Sequence, residues 1–289
     1  MPPLPTAPAK VNLFLHAGSP RADGYHPLES LVAFADFGDE LTLAAAAEDF
    51  AIRVGGPFVN AAGDPDQNLV LKAARALRER IPGIGGGEFH LTKNLPAGAG
   101  LGGGSADAAA VLRLLAKANG IDPEDLRLRA AAEATGADVP VCLARTSRII
   151  SGIGEVLSEP VPIPALAAVL VWPGVPAPTP AVYRAFDAGG TATALSGISA
   201  KDIPYERGAF LDFLARQRND LTKAAWRVTP EIAEADAALR ASDHALLVRM
   251  SGSGSAVFAI YENDAHAQEG ASVVKARYPD WWVVPTTLR

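Results

Sequence analysis

The chain has 289 residues, 49% of them hydrophobic and 20% charged, an ordinary globular balance with length enough for two compact domains. A net charge of −6 without any Lys/Arg-rich run argues against nucleic acid as a partner, because a basic surface is what displaces counterions from a phosphate backbone. The single cysteine, Cys142, excludes an internal disulfide or a zinc site of its own, and no apolar run approaches the roughly 18 residues of a membrane span, so the expectation is a cytoplasmic protein with no membrane partner.

The opening MPPLPTAPAK is proline-rich and lacks the uninterrupted apolar stretch of a secretory signal. Residues 8–17 alternate, with Val11, Leu13 and Leu15 on one face and Lys10, Asn12, Phe14 and His16 on the other, which predicts a strand pointing Lys10 and Asn12 the same way. Segments 41–46 and 50–55 read as short strands, and residues 67–80 as a helix that stops before Pro82 and Gly83. Residues 88–95 read as a half-exposed strand, Phe89 and Leu91 alternating with Glu88, His90 and Thr92.

The next segment is Pro96-Ala97-Gly98-Ala99-Gly100-Leu101-Gly102-Gly103-Gly104-Ser105-Ala106, a glycine-rich loop that opens a helix running through ADAAAVLRLLAKANG to Gly120, with Ser105 as the expected N-cap. Glycine lets backbone approach a ligand closely, and the N–H groups and dipole at a helix start attract an anion, so the loop is suited to cradling phosphate. Gly98, Gly100 and Gly103 satisfy G-x-G-x-x-G, but a half-exposed strand precedes them and the acids about twenty residues on, Asp122 and Glu124, sit in a turn, which weakens a dinucleotide reading. Gly98, Gly103 and Ser105 also fit the Walker A pattern except that Gly104 stands where its lysine belongs. The missing cation must come from elsewhere, with Lys93 and Lys10 as candidates. Asp107 suits the helix dipole yet would repel phosphate, so it must point away from a bound anion or be offset by a cation.

Residues 123–134 read as a helix ended by Gly136, after which Pro140 biases Val139 toward extended backbone. Cys142 between Val141 and Leu143 reads as a buried core thiol. After a strand at 146–157, three prolines in EPVPIPAL mark a domain boundary, giving domains 1–158 and 159–289. The second half reads as a strand at 166–172, the loop PGVPAPTP, helices near 180–187, 209–217, 220–227 and 230–241, strands at 244–250 and 256–261 around Ser251-Gly252-Ser253-Gly254-Ser255, a helix near 266–277 and a strand at 281–286. Interspersed helices with half-polar strands favour an α+β architecture over a doubly wound sheet.

Three separated pieces, APAKVNLFL at 7–15, PAGAGLGGGSADAA at 96–109 and MSGSGSAVFA at 250–259, resemble in order and spacing the three motifs of the GHMP kinases, the family of galactokinase, homoserine kinase, mevalonate kinase and phosphomevalonate kinase. Arg21-Ala22-Asp23-Gly24-Tyr25-His26, Gly136 to Pro140, Pro173-Gly174-Val175 with Pro178-Thr179-Pro180, and Asn219-Asp220-Leu221 are similar to the branch whose acceptor is a cytidine-diphosphate-linked sugar alcohol. The resemblance implies a two-domain α+β GHMP kinase fold with its active site in the cleft between domains, ATP bound by the N-terminal one, and a monomer or weak homodimer. It implies Lys10 and Asp138 as catalytic residues, Lys93 and the loop residues Pro96 through Ala106 as the ATP site, and Asn12, Tyr25, His26 and Thr179 on the acceptor side. The Ser251–Ser255 loop would offer hydroxyls and N–H groups to either ligand. Magnesium accompanies ATP, and with no clear carboxylate ligand in the sequence it would be held by phosphates and water. Read alone, Asp138 is a helix-end acid bonding its own backbone, Lys10 a strand-edge lysine, Tyr25-His26 an exposed pair, and Ser251–Ser255 a hairpin connection. A homoserine or mevalonate type of kinase and a non-catalytic nucleotide-binding regulator stay open as alternatives, the presence of both Lys10 and Asp138 disfavouring the regulator.

Overall fold

The computed structural model describes residues 6–44, 48–62, 68–190 and 194–289. Its first elements are strands β1 (Ala7–Asn12), β2 (His16–Ala17), β3 (Leu28–Leu43) and β4 (Phe50–Gly55), helix α1 (Leu69–Arg80), strand β5 (Gly87–Thr92) and helices α2 (Gly103–Ala118), α3 (Leu126–Thr135) and α4 (Val139–Ala144). Then come β6 (Arg148–Gly152), β7 (Val156–Leu157), β8 (Leu166–Trp172), α5 (Thr179–Ala188), α6 (Arg207–Ala215), α7 (Thr222–Val228), α8 (Glu231–Arg240), β9 (Ala245–Met250), β10 (Val257–Tyr261), α9 (Asp264–Arg277) and β11 (Trp282–Leu288). The chain forms two compact units, one from Met1–Lys10, Asp36–Ala97 and Gly102–Arg145, the other from Val11–Ala35, Gly98–Leu101 and Thr146–Arg289.

In the first unit β5 pairs antiparallel with the end of β3, Glu40 opposite Thr92 through Leu43 opposite Phe89, and parallel with β4 on its other side. Phe89 and Leu91 face the core while His90 and Thr92 face out, the alternation expected of a strand covered on one side. Helix α1 is capped by Asn68, whose side chain accepts the Val70 N–H at 2.9 Å, and buries Val70, Leu71, Ala73, Ala74, Ala76 and Leu77. Helix α2 buries Ala106, Ala108, Ala109 and Ala110 in its first turns, small side chains that let neighbouring elements approach its backbone.

In the second unit β2 and β6 pair antiparallel with β3, and β9, β10, β8 and β11 form an antiparallel run. Every residue of β10 is buried, and its Val257 and Ala259 share a core with Val169 and Val171 of β8, Ile232 and Leu239 of α8, and Val274 of α9.

Several local expectations give way to packing. Residues 28–40 of β3 carry no period-2 pattern because Leu28 through Ala35 are buried on both faces, which erases the alternation that marks a strand. The strand expected over 8–17 breaks after Asn12, where Leu13 N–H turns to Leu31 O at 2.8 Å and Leu15 N–H to Arg218 O at 3.0 Å. Of the strand expected at 41–46, residues 41–43 end β3 and residues 45–46 lie outside the described residues, as does Gln67 ahead of α1. Val139 and Pro140 open α4 rather than extending, because first-turn N–H groups have no intrahelical acceptor and proline there loses nothing. Ser105 is not an N-cap: α2 begins two residues earlier, behind Gly102 in the left-handed region at φ 64°, with no side-chain cap.

Candidate active site

The loop before α2 is shaped by alternating left-handed glycines, Gly98, Gly100 and Gly102, at φ of 63°, 73° and 64°. Between them Ala99 and Leu101 bury their side chains and anchor the backbone. A Cβ on Gly100 would stand 2.4 Å from Ser251 O, so only glycine fits there. The carbonyls of this stretch are committed: Ala99 O accepts the Ala256 N–H at 2.8 Å and Gly100 O the Ser251 hydroxyl at 2.9 Å. The amides that follow are not, among the described residues. Ala106 N–H is bonded to Gly102 O at 2.8 Å, and the N–H groups of Gly103, Gly104 and Ser105 ahead of it have no carbonyl within the helix to meet. Bare amides at the positive end of a helix dipole suit phosphate oxygens.

Lys10 lies beside this helix start, its chain so close that a Cβ on Gly102 would sit 3.1 Å from both its Cβ and its Cε. Its buried ammonium donates to Asp138 Oδ2 at 3.0 Å. Asp138 stands at the N-cap of α4 yet makes no capping hydrogen bond with its side chain, which keeps 36% exposure against 6% for Lys10. The isolated-residue reading of a helix-end acid bonding its own backbone therefore does not hold, and the carboxylate faces outward on a cationic support.

Arg113 of α2, which the sequence did not single out, fixes the elements carrying this pair. Its half-buried guanidinium donates to Cys142 O at 2.8 Å and Leu143 O at 3.4 Å in α4, and to Thr6 O at 2.7 Å just before β1. Burial, with Arg145 nearby, lowers its pKa to about 9. Cys142 is a core thiol as expected, pushed up to about 12 by burial first and by Asp138 second, hence neutral.

Lys93 is placed beneath the loop. Its buried ammonium bonds Asp39 of β3 and, at 2.7 Å, Asp107 of α2. Asp39 in turn accepts the N–H groups of Asn94 at 2.6 Å and Leu95 at 2.8 Å. A Cβ on Gly103 would lie 3.4 Å from Lys93 Nζ and 3.5 Å from Asp39 Oδ2, so the cluster is the floor of the helix start. Asp107 is thus offset by a cation, one of the two arrangements its position allowed. Burial presses the Lys93 ammonium toward neutrality, but Asp107 and Asp39 outweigh it and hold its pKa above the ordinary lysine value. Asp39 was illegible because β3 was.

The three acids nearest the loop each accept a hydrogen bond from a lysine, and among the described residues no group of three or more His, Cys, Asp or Glu could enclose a metal ion.

In the second unit, the 251–255 turn organises the other predicted residues. Asn12 N–H donates to Ser251 Oγ at 3.1 Å, Asn12 Nδ2 to Ser30 Oγ at 2.7 Å, and Thr179 Oγ1 pairs with Ser253 Oγ at 2.7 Å. Ser251 and Ser255 are buried, and their hydroxyls donate to backbone, Ser251 to Gly100 O of the glycine loop and Ser255 to Val175 O after β8, where the expectation had them offered to a ligand. Asn219, quoted in a motif but given no role, braces the turn through Nδ2 to Met250 O and Gly252 O, both at 2.8 Å. Tyr25 and His26 do not act as an exposed pair. Tyr25 is 59% exposed, whereas His26 is buried, donating Nδ1–H to Gly18 O at 2.8 Å, with its ring 4.8 Å from that of Tyr183 and Nε2 3.3 Å from Asp187 of α5.

Residues 68–145 match the GHMP kinases N terminal domain and residues 206–280 the GHMP kinases C terminal domain. The chain is 48% identical over 286 residues to a protein of Methylobacterium radiotolerans named 4-diphosphocytidyl-2-C-methyl-D-erythritol kinase, covering 98% of each chain. It is 48% identical over 288 residues to a protein of the same name from Rhodopseudomonas palustris, covering 98% of this chain and 96% of that one. Among solved structures, a crystal structure of 4-(cytidine 5'-diphospho)-2C-methyl-D-erythritol kinase superposes with a TM-score of 0.78 at 36% identity, covering 98% of this chain and 97% of that one. The L. major mevalonate kinase, at 14% identity and a TM-score of 0.66 over 98% of this chain and 94% of that one, shares the fold.

Proposed function

The chain belongs to the GHMP kinases, ATP-dependent enzymes that phosphorylate small molecules, and we propose that it transfers the γ-phosphoryl group of ATP to the 2-hydroxyl of 4-diphosphocytidyl-2-C-methyl-D-erythritol. The products are the 2-phosphate and ADP, in the non-mevalonate route to isoprenoid precursors. The observation that carries this reading is the near full-length identity to proteins bearing that name, together with a Lys10–Asp138 contact beside a bare helix start. We assign ATP binding to residues 1–158 and the C-terminal kinase domain to 159–289, in a cytoplasmic monomer or weak homodimer.

Phosphoryl transfer asks for alignment and charge neutralisation more than for covalent chemistry. The amides of Gly103, Gly104 and Ser105 receive phosphate oxygens, with Pro96 through Gly102 and Ala106 shaping the cradle and Lys93 supporting it from beneath. Asp138 holds the acceptor hydroxyl by its proton and takes that proton as the new O–P bond forms and the β–γ bridging bond breaks. Lys10 donates to Asp138 and stabilises charge on the oxygen that attacks. Magnesium arrives as part of the Mg-ATP substrate. On the acceptor side Tyr25 offers an exposed ring to the cytosine, stacking worth about 1–3 kcal/mol. His26 sets the turn that presents Tyr25, and Asn12 and Thr179 address the diol and diphosphate.

The test is a coupled assay of ADP release with Mg-ATP and each of three acceptors. The proposal expects turnover with 4-diphosphocytidyl-2-C-methyl-D-erythritol and none with homoserine or mevalonate. The reverse pattern overturns the acceptor assignment.

A further inference from the structure

The floor of the phosphate loop holds more negative than positive charge. Lys93 alone faces two carboxylates, Asp39 and Asp107, all three buried and all in contact with the first turn of α2. Fully ionised, the cluster would carry a net negative charge directly under Gly103, where the proposed function seats a triphosphate. Asp107 Oδ2 accepts from Lys93, but Asp107 Oδ1 is buried with no hydrogen-bond partner among the described residues. A carboxylate oxygen left bare in a low-dielectric site is costly, and a proton on it removes both the charge and the unmet valence. The remaining neighbours do not supply the missing charge: Lys10 of β1, beside Gly102, already donates to Asp138. Lys93 comes from β5, Asp39 from β3, the α4 group that feels Asp107 is the neutral Cys142 thiol, and α1 contributes Leu69 against Gly104.

We propose that Asp107, held between Lys93 and Asp39, is a positioning residue that takes up a proton when polyphosphate settles over Gly103, so that nucleotide binding is proton-linked. The inference rests on the reading of Pro96–Ala106 as the phosphate cradle. Protonation leaves one ammonium and one carboxylate, a neutral floor, while Asp39 keeps its two backbone hydrogen bonds and so keeps the loop entrance in place. The free chain is poised for this near neutrality: burial foremost, against the opposing pull of Lys93 and with the help of Asp39, raises Asp107 to about 7.

The experiment is calorimetric titration of Mg-ADP into the full chain at pH 7 in two buffers of different ionisation enthalpy, repeated with Asp107→Asn. With Asp107 about half protonated beforehand, the wild type takes up about half a proton more per nucleotide than the variant. Should the variant not fold, the wild type alone decides, since Mg-ADP affinity then weakens about fifteenfold between pH 7 and 8.5 if the proton is obligatory. Equal proton counts in both proteins, or a flat affinity over that range, overturn the inference while leaving the cradle intact. A chain that binds no Mg-ADP at any pH overturns both.

Discussion

Gly102→Ala isolates the contact between the glycine loop and Lys10, the lysine proposed to act in catalysis. Two effects act at this position. The residue sits at φ +64°, where a Cβ costs about 1–2 kcal/mol in backbone strain. That Cβ would also lie 3.1 Å from the Cβ and Cε of Lys10, tighter than an ordinary contact, so the lysine chain must move by a few tenths of an ångström or more. Gly120 separates the two, because it has nearly the same φ, +63°, with nothing within 4 Å of its added Cβ. Both variants should lose about 1–2 kcal/mol in urea unfolding, well within the roughly 5–15 kcal/mol of a typical domain. Only Gly102→Ala should lose kcat, by up to about 100-fold, the cost of a catalytic group displaced by the order of 1 Å. Steady-state kinetics beside unfolding curves measures both. Wild-type kcat in Gly102→Ala, or an equal loss in Gly120→Ala, refutes the reasoning.

Asp138→Ala should lower kcat by about 10²- to 10⁴-fold while Mg-ADP affinity changes little, a split that calorimetry with kinetics reveals; lost affinity of similar size would assign Asp138 to nucleotide binding instead. Arg113→Met strips donors from the carbonyls of Thr6, Cys142 and Leu143 and should destabilise by about 2–5 kcal/mol in urea unfolding. Asp107 is raised in the folded chain to about 7 from 3.8, so its contribution to stability is full below pH 4 and is lost as pH rises through 7. Asp107→Asn should therefore gain Tm relative to the wild type at pH 8 and not at pH 4, and parallel Tm profiles would contradict this. Cys142, neutral and buried, should resist iodoacetamide at pH 8 in the folded chain, as mass spectrometry can show, and react once urea unfolds it.

What could be read from the sequence followed local physics. The glycine loop declared itself, and Asp107 called for either an orientation away from a bound anion or a cation beside it, because both signals lie within one short segment. The helices of the second half and the strand at 166–172 were legible from periodicity and proline punctuation, and α5 through α8 lie close to the expected spans. Lys10 and Asp138 are 128 residues apart, and nothing local links them; only the family motifs placed them in one site. Elements buried on both faces stayed hidden, which cost the reading β3 and with it Asp39. Arg113 and Asn219 were missed for a related reason, since each acts by bonding distant backbone carbonyls, and a carbonyl leaves no trace in sequence. The misplaced Ser105 cap and extended Val139 show propensity yielding to a loop conformation and to first-turn tolerance of proline.

The most direct measurement is a crystal structure with a non-hydrolysable ATP analogue, magnesium and 4-diphosphocytidyl-2-C-methyl-D-erythritol bound together. The account predicts phosphate oxygens on the amides of Gly103, Gly104 and Ser105, and the acceptor 2-hydroxyl within about 3 Å of Asp138 with Lys10 beside it. A triphosphate seated away from that helix start, or a 2-hydroxyl out of reach of Asp138, would contradict it.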